Sequence, residues 1–129
     1  MGWREEFAGR SIDYDIPESI IRMEGLEDTS WHNNACPSFG LRITESMELT
    51  IWCDAPNQDD RESGGDHRYM IAAHAWEESD KALLDAAGVA DVIEDNAGLI
   101  DQYGTDDPYE AVRIFLSVLV RLQAVRAAA

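Results

Sequence analysis

Residues Leu41–Cys53 read LRITESMELTIWC, and their period of two decides the fold. Leu41 and Ile43 fall on one face of the first run. Met47, Leu49, Ile51 and Cys53 share a face of the second, against Thr50, Trp52 and Asp54. Glu45-Ser46 between the runs predicts a hairpin whose two-residue turn lacks the usual glycine. Downstream, RYMIAAHAW (Arg68 to Trp76) repeats the pattern, with Tyr69, Ile71, Ala73 and Ala75 alternating against Met70, Ala72, His74 and Trp76. The intervening loop APNQDDRESGGDH is rich in turn-forming polar residues and belongs on the surface.

Beyond Glu77 the period becomes helical. Leu83, Ala86, Ala87, Ala90 and Ile93 recur on one side, with Gly98 as a stop. A second helix has Asp107 as N-cap, Pro108 at its first position and Glu110 completing a capping box. Its apolar stripe is Ala111, Ile114, Phe115, Val118, Leu122 and Val125, with Arg113, Arg121 and Arg126 off the stripe. Near the start, Asp15, Pro17, Glu18 and Gly25 outline a short helix, although Ile20-Ile21 fits a strand equally well.

Strands followed by helices predict a single acidic α+β domain over residues 1–129. Its small antiparallel sheet takes about three to four strands from residues ~28–76, and two C-terminal helices, ~77–96 and ~108–127, pack against it. With 45% hydrophobic residues the chain can build one ordinary core. Apolar residues on both faces of the strands predict that the helices cover Trp52, Met70, His74 and Trp76. Left uncovered, those side chains form a face for a metal, a small molecule or a partner, joined by the 30–40 loop SWHNNACPSFG. That loop reads as a polar connection anchored in the core by Trp31 and Phe39, with His32 and Asn34 as outside candidates for contacts.

Charge is the least ordinary property. The chain carries 26 acidic against 10 basic side chains, a net charge of −16, and Lys81 is its only lysine. Such a surface repels phosphates and anionic membranes, which argues against direct nucleic-acid or membrane binding and for a basic protein partner. A high-salt host or a need for solubility would also favour acidity, but would spread it evenly. Instead, Glu77, Glu78, Asp80, Asp85, Asp91, Glu94, Asp95, Asp101, Asp106, Asp107 and Glu110 face only Lys81, so residues 77–110 hold −10 of the −16.

Carboxylates three or four residues apart lie on one helix face about one turn (~5.4 Å) apart. Asp91, Glu94 or Asp95, and Asp101 can thereby imitate a run of phosphates. The expected function is an acidic inhibitor that mimics nucleic acid and blocks a basic DNA- or RNA-binding protein. Anti-CRISPR and anti-restriction proteins of phages form such a class, and immunity proteins against nuclease toxins are a close variant. The analogy is one of charge and size, with no family motif.

Chemistry is poorly represented. His32, Cys36, Cys53, His67 and His74 are adequate zinc-ligand types, but only His32 and Cys36 are close in sequence, so no metal and no cofactor is expected. The acidic loop with Asp54, Asp59, Asp60, Glu62 and Asp66 lacks the Asp/Asn ladder of a calcium loop. Both cysteines sit in a negative neighbourhood that disfavours a reactive thiolate. No nucleophile elbow or phosphate loop is present, and no enzyme activity is expected. MGWREEF has no signal-peptide core, and Glu6 stands where a myristoylation motif wants Ser or Thr. A cytoplasmic protein with free thiols is the expectation.

Overall fold

Strands β2 (Ser38–Thr44) and β3 (Met47–Cys53) form the expected hairpin in a computed structural model of the chain, which describes residues 2–10, 12, 14–31, 36–61, 67–89 and 102–128. Thr44 pairs with Met47 across the turn, and the register shifts by one residue at Ile43. Neither Glu45 nor Ser46 adopts a positive φ. A two-residue turn of that kind mismatches the strand twist, and the bulge at Ile43 absorbs the mismatch.

The sheet is larger than expected. β1 (Glu27–Asp28), β4 (Tyr69–Ala75) and β5 (Gln102–Thr105) complete a five-stranded antiparallel meander in the order β1-β2-β3-β4-β5. Both edge strands are short, which limits the unpaired backbone offered to other chains.

Among the described residues, four α-helices accompany the sheet: α1 (Trp3–Glu6), α2 (Glu18–Ile21), α3 (Glu78–Ala86) and α4 (Pro108–Ala128). The short helix α2 settles the Ile20-Ile21 ambiguity, but its N-cap is Pro17 rather than Asp15. Helix α3 ends at Ala86, and residues 90–96 of the expected helix lie outside the described residues. Gly88 adopts φ +65° just after Ala87, the left-handed geometry with which glycine ends helices. The expected stop at Gly98 lies outside the described residues. Arg121 of α4 donates to the Ala87 and Gly88 carbonyls at 3.3 and 3.4 Å, satisfying groups that the end of α3 leaves open.

Helix α4 follows its sequence signals closely. Asp107 accepts from the Tyr109 N–H at 2.9 Å, as an N-cap should. Glu110 departs from the capping box and instead accepts a hydrogen bond from the Tyr103 hydroxyl. Ala111, Ile114, Phe115, Val118 and Leu122 are all buried. They join Met47, Leu49, Ile51 and Cys53 of β3 and Tyr69, Ile71, Ala73 and Ala75 of β4 in one core.

The helix layer therefore covers the aliphatic face of the sheet. The Trp52, Met70, His74 and Trp76 face lies on the other side, contrary to expectation, because the aliphatic face offers more apolar area to α4. No described helix is long and apolar enough to cross a membrane.

Tyr69 is the core's one flaw among the described residues: its buried hydroxyl has no hydrogen-bond partner. Burial pushes its phenol up to about 12, opposed by the Arg68 guanidinium 4.9 Å from the ring centre. Tyr69→Phe should raise stability at pH 7 by about 1 kcal/mol, since an unsatisfied buried group is removed. The folded-state value lies above the ordinary 10. Stability linked to Tyr69 is thus complete below pH 10 and is lost as the pH climbs toward 12. Melting temperatures of the variant measured across that window should fall less steeply than those of the parent. Cys53, also pushed up by burial, contributes an alkaline loss of the same sign in both proteins.

Candidate functional site

The expected partner-binding carboxylates divide by environment. Glu77, Glu78 and Asp85 are exposed on and beside α3, with Glu78 3.3 Å from the Lys81 ammonium. Asp80 is only 6% exposed. Its carboxylate accepts hydrogen bonds from the Thr44 hydroxyl at 2.8 Å and from the Ser46 hydroxyl, locking α3 to the β2–β3 turn. That makes Asp80 a structural group.

Asp106 is exposed but accepts from the Arg68 N–H at 2.8 Å and lies 3.8 Å from the Arg61 guanidinium. Asp107 is engaged as the N-cap of α4. Asp91, Glu94, Asp95 and Asp101 lie outside the described residues.

The open sheet face holds the other candidate. Strand register lays its side chains in three rungs. Arg42, Glu48 and His74 form the first; Gly40, Thr50 and Ala72 the second; Ser38, Trp52, Met70 and Gly104 the third. The small middle rung leaves a trough of about 270 Å³, lined by Thr29, Ser38, Glu48, Thr50, Trp52, Ala72, His74 and Trp76. Trp76 continues the first wall, its ring stacked on His74 at 5.0 Å and 51% of the residue exposed.

Gly40 has a specific role here. A Cβ at that position would come within 2.7 Å of Glu48 Oε1, so the glycine lets the carboxylate lie across the rung. Thr50 Oγ1 donates to the same oxygen at 3.0 Å. The other carboxylate oxygen lies 3.5 Å from Arg42 Nη2, and the Arg42 guanidinium also sits 5.7 Å above the Trp76 ring. A carboxylate bounded by two indoles is suited to a planar or alkylated cation, attracted by both the charge and the ring faces.

The 30–40 loop is closed at its base. Thr29 N donates to the Ser38 carbonyl at 3.0 Å, and Ser38 N donates to Ser30 Oγ at 3.1 Å. This pinch brings Thr29 and Ser38 to one end of the trough. Phe39 is buried as expected, whereas Trp31 is 48% exposed and does not anchor the loop in the core. His32 and Asn34 lie outside the described residues.

Among the described residues, no three His, Cys, Asp or Glu side chains gather into a metal-holding group. Cys36 and Cys53 are both buried, and burial pushes the Cys53 thiol well up, which suits packing rather than catalysis.

Glu48 and Arg42 were not singled out from the sequence. Their period-two placement was visible, but the bulge at Ile43 sets Arg42 opposite Glu48, and the pairing of β3 with β4 sets Glu48 opposite His74. No protein-family model matches the chain, and neither does any curated protein or solved structure. Fold and site together define the class: an acidic two-layer α+β domain with one sheet face covered by helices and the other, among the described residues, without a helix over it.

Proposed function

We propose that this chain is an acidic protein-binding inhibitor that captures a basic, nucleic-acid-binding protein by imitating nucleic acid. The observation that carries the reading is the concentration of charge: residues 77–110 hold −10 of the net −16. Like charges on neighbouring helical turns repel by a few tenths of a kcal/mol per pair, a cost that a cationic partner offsets. The exposure of Glu77, Glu78 and Asp85 agrees with such a surface. A partner of the anti-CRISPR or anti-restriction type, or a nuclease toxin, fits this chemistry, and the site of action is cytoplasmic.

An affinity pull-down at low and high salt tests the proposal, since charge-steered capture weakens as salt rises. The triple variant D91K/E94K/D95K should lose capture by at least about a hundredfold with an unchanged melting temperature. Unaltered capture by that variant overturns the mimicry.

A second reading, a small-molecule site on the open face, is favoured by the trough itself. At about 270 Å³ it lies just below the usual range of ligand pockets, which leaves room for a very small molecule. Native mass spectrometry of the purified protein would reveal a stoichiometric ligand.

A further inference from the structure

The trough already shows what it can hold. Its carboxylate, Glu48, shares a rung with His74 and leans over Gly40 toward the middle of the trough, and one guanidinium reaches it from the chain itself. Arg42 approaches from the rim, with its side chain 60% exposed, while the Glu48 side chain is only 24% exposed. Arg42 Nη1 also donates to the Glu45 carbonyl at 3.1 Å, which holds the side chain at the rim. An exposed ion pair of this kind is weak, so Arg42 can yield the Glu48 carboxylate to a competitor.

We infer that the trough is a receptor for a single arginine side chain of a basic protein partner, and that Arg42 is an internal stand-in that the incoming guanidinium displaces. The partner's identity as a basic protein rests on the proposed capture function. The choice of arginine rests on the geometry of the trough.

Three observations narrow the occupant. The volume of about 270 Å³ admits a side chain and falls below the usual range of cofactor pockets. Glu48 Oε2 faces only the weakly paired Arg42, and Oε1 keeps a second lone pair beside the Thr50 bond, so a fork of N–H donors can engage both oxygens where a point-like ammonium cannot. The Trp76 ring adds a cation–π attraction, as the Arg42 guanidinium 5.7 Å from its centre already shows. The Thr29, Ser38 and Thr50 hydroxyls at the floor and one end can accept the remaining donors. The net charge of −16 draws such a side chain in and repels anionic ligands.

The test is an NMR titration of the full chain with Nα-acetyl-arginine methylamide, beside its neutral isostere Nα-acetyl-citrulline methylamide. The arginine probe should shift the Trp52 and Trp76 indole N–H signals saturably, and the citrulline probe should not. Arg42→Ala should tighten arginine binding about threefold by removing the competitor. Arg22→Ala, the same change in net charge at a remote exposed position, should leave it unchanged. Glu48→Gln, which keeps the shape and the acceptor for Thr50, should weaken it about tenfold.

Three results overturn the inference. One is the absence of saturable indole shifts. Another is equal binding of citrulline, which would mark a neutral small-molecule pocket. The third is an equal gain from Arg22→Ala and Arg42→Ala, which would mean charge acting at long range. The D91K/E94K/D95K variant separates this from the capture function. It should bind the arginine probe with the parent's saturating indole shifts even where it no longer captures a partner.

Discussion

Asp80→Ala is expected to destabilise the fold by about 3 kcal/mol, the largest effect for any acidic residue of α3. The carboxylate is buried and accepts from both the Thr44 and Ser46 hydroxyls. Truncation leaves two donors facing a void and frees the turn from the helix. Trp76 N–H also donates to the Ser46 carbonyl at 2.8 Å, so the same turn supports the strand end that carries the indole wall.

Asp80→Asn, which keeps one acceptor, should cost about 1 kcal/mol. Asp85→Ala, at an exposed position on the same helix, should stay within about 0.5 kcal/mol of the parent. Urea denaturation of the three variants checks the ordering. An Asp80→Ala protein as stable as the parent would mean that the lock contributes nothing.

Phe115→Ala should cost about 3–5 kcal/mol, through lost burial and the cavity left behind. Phe115 is among the fully buried side chains of α4, which packs on β3, β4 and β5. A domain of this size has only about 5–15 kcal/mol of stability in total, so this variant should be unfolded or near its midpoint at 37 °C. Leu116→Ala and Val120→Ala, one and five residues further on and exposed, should each change stability by less than about 1 kcal/mol. Calorimetry on the three variants therefore measures which face of α4 the sheet uses. A small effect at Phe115 with a large one at Leu116 would reverse the assigned face.

These predictions show where the sequence was transparent. The faces of β3, β4 and α4 were legible residue by residue, because period and burial are coupled wherever one face meets a core. The Asp107-Pro108 start of α4 was legible because capping is local. Strand β5 was not: Gln102–Thr105 has no pattern of its own and becomes a strand only by pairing with β4. The break after α3 was not legible, because the apolar spacing continues past Gly88 and the positive φ there leaves no mark beyond a common glycine.

The candidate site divides along the same line. Composition identifies a strongly acidic chain, and residue order places the charge in residues 77–110 and marks Trp52, His74 and Trp76 as sharing a sheet face. Charge and alternation are one-dimensional properties, and a chain displays them before it folds. Three facts arise only from packing: the helices choose the opposite face, Asp80 turns inward to hold the turn, and Glu48 meets Arg42 beside the indoles. Each depends on which strands pair and in what register, and the shift at Ile43 sets that register at the hairpin turn. A one-residue slip there would send every side chain of the affected strand to the other face.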